Sequence, residues 1–217
     1  MAKCQWLTAK NMRNPYFKTP PVVQNLIIAN CVLYLAVRLI PAVNHFCAEY
    51  LQLWWADAFN APEFHSYQFV TYMFLHAGFG HLFSNMFALW MFGRTLEYEL
   101  GSQRFLTYYM VCGIGAALIQ IGVASLFGEN LTLLGASGAV FGLLLAFGVL
   151  HPNNMIYIIP LPFPIKAKWF VVGYIILEVI QGWGVAGDGV AHFAHVGGML
   201  WGWALLHYWK NKRVIYF

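Results

Sequence analysis

The sequence predicts an all-α membrane protein: a bundle of six transmembrane helices with a first loop that lies in the membrane interface. Three observations predict it. Of 217 residues, 60% are apolar and only 9% are charged, against about 25% charged in a soluble globular domain. Six apolar stretches are each of helical length. The basic residues, once placed between those stretches, fall almost entirely on one side. This composition excludes a disordered chain, a disulfide-rich secreted scaffold and a nucleic-acid-binding domain.

A helix needs about 20 residues to cross the hydrocarbon core, and on that template the spans are about 23–43, 70–93, 105–127, 137–151, 168–186 and 191–209. The third, FLTYYMVCGIGAALIQIGVASLF, is the clearest, and the first carries Arg38 near its end. The fourth is short, preceded by Gly135 and closed by Pro152. Residues 1–22 read as a short cytoplasmic tail, 23–209 as the six-helix domain and 210–217 as a second cytoplasmic tail. The loop 44–69 interleaves Phe46, Tyr50, Trp54, Trp55, Phe59, Phe64, Tyr67 and Phe69 with Asn44, Glu49, Asp57 and Glu63, a mixture that suits the interface. Cys4, Cys31, Cys47 and Cys112 have no metal-ligand or C-x-x-C spacing and read as packing residues.

Six spans put both termini on one side. Lys3, Lys10, Arg13, Lys18, Arg94, Arg104, Lys166, Lys168, Lys210, Lys212 and Arg213 share that side, and Glu49, Asp57, Glu63, Glu129 and Asp188 lie on the other. The positive-inside rule makes the first side cytoplasmic. The expectation is a multi-pass protein of a cell membrane, of the bacterial inner-membrane kind, with its site opening to the external or periplasmic side.

Polar side chains within a bilayer are costly and mark function. His76, His81 and Asn85 fall in the outer half of the second span, Ser137 opens the fourth, and His192 and His195 sit in the first turns of the sixth. Residues 137–151 cover about 22 Å at 1.5 Å per residue, so Ser137 lies below the outer surface, at a depth that His195 also reaches. Gly138 and Gly142 on the fourth span, with Gly198 and Gly202 on the sixth, have the small-xxx-small spacing that lets helices approach closely.

GASG at 135–138, AHVGG at 194–198 followed by Gly202, and His81-x-x-x-Asn85 resemble the rhomboid intramembrane serine proteases. The resemblance covers about residues 20–209, in the minimal six-helix form of a bacterial type, and includes Gly93-Arg94-Thr95-Leu96-Glu97 followed by Gly101. It implies a six-transmembrane-helix rhomboid-like bundle and a serine endopeptidase without cofactor or metal. In that reading Ser137 is the nucleophile and His195 the general base. His81, Asn85 and the backbone N–H of Ser137 form the oxyanion hole, with Phe141, Gly138, Gly198 and Gly202 in support. Phe141 stands where the family often has a tyrosine against the catalytic imidazole. The implied partners are transmembrane protein substrates and the lipid bilayer, with no nucleic acid.

No carboxylate is evidently placed to complete a triad: Asp188 lies in a loop, and Glu178, with Gln181, either pairs within the bundle or faces the site. His76 is an outer partner of the site or an interfacial residue, and the glycine-rich stretch 182–190 is a cap or a plain loop. Two competing readings remain, a metal permease built on His76, His81, His192 and His195, and a catalytically inactive relative acting as a scaffold. The sequence offers the first no carboxylate in its conduit, and the intact serine and histidine motifs speak against the second.

Overall fold

The computed structural model describes residues 18–55, 62–157, 163–184 and 191–215. Most of the N-terminal tail, Asp57, Phe59, Asp188 and most of the 182–190 stretch lie outside the described residues.

Helix α1 (Pro21–Leu39) starts where Pro21, which has no N–H to satisfy, takes the first helical position. It stops four residues short of the expected end. Pro41 forces Ile40 into an extended conformation (φ −121°, ψ 104°), and the chain restarts as the short helix α2 (Pro41–Phe46). A π-helical turn (Cys47–Leu51) then leads to strand β1 (Leu53–Trp55). This strand pairs antiparallel with β2 (Leu131–Leu133), Leu53 opposite Leu133 and Trp55 opposite Leu131. Gln68, fully buried, ties the first loop together. Its Oε1 accepts from the N–H of Trp54 at 3.3 Å, and its Nε2 donates to the carbonyls of Tyr50 and Glu63 at 3.2 and 3.3 Å.

The second apolar stretch is not one helix. Helix α3 (Gln68–Thr71) ends in a 3₁₀ turn (Tyr72–Phe74), Leu75 is extended (φ −95°, ψ 144°), and α4 (Phe79–Ala88) begins after an extended Gly78. Gly78 makes helix expensive here, by about 1 kcal/mol relative to alanine. The break is also compensated, since the guanidinium of Arg38 donates to the carbonyl of Ala77. From α4 the chain runs through a second π-helical turn (Leu89–Gly93) into α5 (Arg94–Leu100). Residues 79–100 thereby form one rod, about 33 Å long at 1.5 Å per residue.

Glu97, buried in this rod, explains the GxxxE-like stretch. Its carboxylate accepts the N–H groups of Val22 and Val23 at 2.9 and 2.7 Å and the hydroxyl of Ser102 at 2.6 Å. It caps the first turn of α1, whose N–H groups have no partner within that helix.

Helix α6 (Ser102–Phe127) closes on Gly128 in the left-handed conformation (φ 67°). Helix α7 (Ser137–Leu150) follows β2 directly, and a small ribbon of β3 (Met155–Ile156) and β4 (Ile165–Lys166) leads into α8 (Ala167–Gly184) and α9 (His192–Asn211). Helices α6, α7 and α9 make the most extensive contacts, with α7 largely enclosed.

Many large apolar side chains face outward, and the mainly hydrophobic interior also holds polar groups. Val32, Leu35, Phe79, Phe83, Ile180 and Trp183 are among the exposed large side chains, whereas Asn30, Gln68, Asn85, Glu97, Glu178, His192 and His195 are buried. Helices α1 and α6 are long and apolar enough to cross a membrane. The architecture is an all-α membrane bundle.

Candidate active site

The turn before α7 is set by Gly135, whose φ of +116° lies outside the range that L side chains adopt comfortably. Its N–H donates to the carbonyl of Tyr72 at 2.9 Å, and the hydroxyl of Tyr72 donates to the carbonyl of Gly113 at 2.7 Å. The pairing of β1 with β2 holds the approach to this turn. The turn delivers Ser137 to the first position of α7, where the helix has no side-chain cap and its first N–H groups remain open as donors.

His195 comes from the first turn of α9. The N–H of the preceding Ala194 donates to Oε1 of Gln120 on α6 at 2.9 Å, which fixes that end of the helix. Ser137 Oγ lies 2.9 Å from His195 Nε2, and the His195 ring stacks on Phe141 with centroids 4.1 Å apart and planes 10° apart. A Cβ on Gly198 would strike the carbonyl of Gly138, and one on Gly142 would stand 3.1 Å from the carbonyl of Gly198. The two helices thus meet backbone to backbone at the level of the serine. A Cβ on Gly202 would press on Tyr108 and, at 3.1 Å, on Cys112 Sγ.

His81 and Asn85 face the same space from α4. The N–H of Ala77 points at His81 Nδ1 over 3.4 Å, a long contact that makes Nδ1 the acceptor and leaves the ring proton on Nε2. That ring abuts Gly135, where a Cβ would stand 2.6 Å from Cε1 and 2.7 Å from Nε2. Asn85 is buried, and one N–H of its Nδ2 donates to the carbonyl of His81 at 2.8 Å, leaving a second for another acceptor. His76 lies on the break between α3 and α4 with its ring edge-on to His81, centroids 5.0 Å apart. Ser137, His195, His81, Asn85 and Phe141 all line one cavity of about 710 Å³, bounded by α4 and its π turn on one side and by Phe170 and Tyr174 of α8 on the other.

The expectation that no carboxylate is placed to complete a triad is overturned, and of the two positions left open for Glu178 the structure shows the one facing the site. Glu178 turns inward from α8, and its Oε2 lies 2.7 Å from His192 Nδ1 and 2.8 Å from His195 Nδ1. The apolar residues around Glu178 did not encode this direction, because lipid and helix interior are both apolar. Among the described residues, Glu178, His192 and His195 are also the group that could hold a cation, their donor atoms lying within 4.8 Å of one another. His192 is engaged with Glu178, and His195 is the imidazole at Ser137.

Fold and site together define a class: a helical membrane protein with a serine–imidazole pair at a helix N-terminus, beneath an apolar-walled cavity. Residues 63–211 match the family model described as the Rhomboid domain, and the chain belongs to the rhomboid family. It is 31% identical over 212 residues to Rhomboid protein 1, mitochondrial, of Saccharomyces cerevisiae, covering 92% of this chain and 56% of that protein. It is 46% identical over 77 residues to Rhomboid-like protein 11, chloroplastic, of Arabidopsis thaliana, covering 36% of this chain and 26% of that protein. Presenilin-associated rhomboid-like protein, mitochondrial, of Bos taurus is 30% identical over 149 residues, or 64% of this chain and 38% of that protein. The chain therefore spans from about a quarter to just over half of the length of these curated relatives.

These relatives correct the expected location. They are mitochondrial or chloroplastic proteins, which points to an organellar membrane and away from a bacterial cell membrane. The physical reason for the error is plain: charge asymmetry separates two faces of a membrane without saying which membrane it is.

Proposed function

We propose that the chain is an intramembrane serine endopeptidase of an organellar membrane, cutting peptide bonds in or near transmembrane segments of other membrane proteins. The observation that carries this reading is Ser137 Oγ at 2.9 Å from His195 Nε2, with the imidazole stacked on Phe141. In the proposed reaction the Ser137 oxygen bonds to the substrate's carbonyl carbon and its proton passes to His195 Nε2. The carbonyl oxygen, now an oxyanion, takes hydrogen bonds from the Ser137 N–H, His81 Nε2–H and Asn85 Nδ2–H. The C–N bond then breaks as His195 protonates the leaving amine, and water releases the acyl group by the same steps in reverse. Gly138, Gly198 and Gly202 hold α7 and α9 close enough for this pairing.

The matching architecture is six spans within residues 23–209, with the second running through the break at 75–78 and the folded first loop resting in the interface. Substrates are segments with a locally unstable helix, because a peptide bond inside a helix is shielded by its own turn. The cavity bounded by α4 and α8 supports entry of an extended strand.

The test is fluorophosphonate labelling of the detergent-purified protein. Label is expected on the wild type and on Ser102→Ala and is expected to vanish in Ser137→Ala; label that persists on Ser137→Ala refutes the reading. Cleavage of a transmembrane substrate is expected to be lost in His195→Ala. The cluster of Glu178, His192 and His195 favours one second reading, a bound cation. A chelator discriminates the two, since a serine reaction proceeds in its presence and a metal-dependent one stops.

A further inference from the structure

Glu178 and His192 have no part in a serine–histidine dyad, yet both are buried within reach of it. We propose that Glu178 is a positioning residue for His195, and that His192, bound to the same carboxylate oxygen, holds Glu178 to that task. The proposal rests on the reaction assigned above to Ser137 and His195.

The proton bookkeeping carries the first half. An ionised carboxylate only accepts. With Oε2 at 2.8 Å from His195 Nδ1 and 2.7 Å from His192 Nδ1, both rings carry their proton on Nδ1. The Nε2 of His195 is then bare, and it is the atom facing Ser137 Oγ. With the proton on Nε2 instead, the ring would donate to the serine and could not act as its base. Phe141 cannot enforce this choice. A stacked ring fixes the plane of the imidazole, but the stack is equally satisfied when the imidazole flips by half a turn within that plane's normal freedom. Glu178 selects one of the two orientations. When Ser137 gives up its proton, the imidazolium that forms stands against the carboxylate, in surroundings where water screens little.

The second half follows from burial. Glu178 is only 4% exposed, and an isolated buried carboxylate pays a heavy desolvation penalty. Two N–H donors on one oxygen offset that penalty. His192 and His195 are three residues apart, one turn of α9, so both rings reach the same acceptor.

A plain polar tie between α8 and α9 would affect stability but not the chemical step, and this separates the alternatives. In proteoliposomes containing the full chain, with a fluorogenic peptide carrying an apolar segment with a helix-breaking centre, Glu178→Gln is expected to lower kcat by about 10²- to 10⁴-fold while KM is little changed. The fluorophosphonate labelling rate is expected to fall in parallel. Glu178→Asp, which keeps the charge, is expected to recover part of kcat. His192→Asn, which leaves the Glu178–His195 contact, is expected to cost roughly tenfold. An unimpaired kcat in Glu178→Gln, or a loss confined to KM or thermal stability, overturns the proposal. Should Glu178→Gln fail to fold, ¹⁵N spectroscopy of the wild-type imidazoles decides: Nδ1–H on His195 supports the proposal and Nε2–H overturns it. If Ser137→Ala still cleaves, the serine reading itself has failed. If Ser137→Ala is inactive and Glu178→Gln is unimpaired, only the role of Glu178 has.

Discussion

Gly135→Ala is the sharpest single perturbation of the serine-bearing turn, because two separate costs meet at one atom. The first is conformational: a φ of +116° charges an alanine about 1–3 kcal/mol of backbone strain. The second is steric. The new Cβ would stand 2.6 Å from His81 Cε1, and ordinary carbon contacts begin near 3.5 Å, so the ring must retreat by roughly 0.9 Å. That ring is tethered by the N–H of Ala77 and flanked by His76, so it cannot simply swing aside. Displacing His81 from the oxyanion role proposed for it is expected to cost about 10²- to 10³-fold in kcat. Gly80→Ala is the internal control: a Cβ there meets nothing within 4 Å, and alanine within α4 is expected to add about 0.5–1 kcal/mol of stability. Denaturant unfolding in detergent and the fluorophosphonate labelling rate, measured on both variants, check the pair. A Gly135→Ala protein with wild-type stability and labelling refutes the reasoning.

Gly198→Ala sets a Cβ against the backbone of Gly138, which has no flexible end to move aside. A loss of about 3 kcal/mol, the top of the usual overpacking range, is expected in thermal unfolding, with labelling of Ser137 reduced as α7 and α9 part. Glu97→Ala leaves the half-buried N–H of Val22 and the buried N–H of Val23 without an acceptor. It is expected to cost about 2–4 kcal/mol in stability, while the Ser137–His195 geometry at the other end of the bundle is retained. Burial raises the pKa of the Cys47 thiol above its ordinary value. At pH 8 it therefore holds less thiolate than a free cysteine, and its alkylation is expected to be slow in the folded protein, to quicken as pH rises and to jump on unfolding.

Much of this molecule was legible in the sequence because membrane proteins write their topology in extremes. The scarcity of charge marks apolar stretches of helical length, and Gly135 and Pro152 bound the fourth, whereas Pro41 ends α1 inside a stretch whose composition carries on to residue 43. The polar residues left inside, Ser137, His195, His81 and Asn85, are few enough to notice together. What was not legible is direction around a helix axis. Around Glu178 the neighbours along the helix are apolar apart from Gln181, so no periodicity says that the carboxylate points toward α9. The available signal was its rarity, a lone acidic side chain in an apolar helix, with two histidines a turn apart awaiting an acceptor. Gln68 and Gln120 carry no local signal for a related reason, since Gln68 serves backbone groups up to 18 residues away and Gln120 one 74 residues away. The break at 75–78 was hidden by its composition, which is apolar enough to continue a span and interrupted only by His76 and Gly78.

The cap that Glu97 places on α1 has a consequence for how the chain is assembled. Helix α1 is long and apolar enough to cross a bilayer, but the acceptor for its opening N–H groups is made some 75 residues after them. Until then those groups must be met by water or lipid headgroups, which confines the start of α1 to the membrane surface. Insertion and docking of α1 are therefore separate events, the second waiting for residues 97–102. Glu97 acts as a late latch that closes only on a correctly threaded bundle.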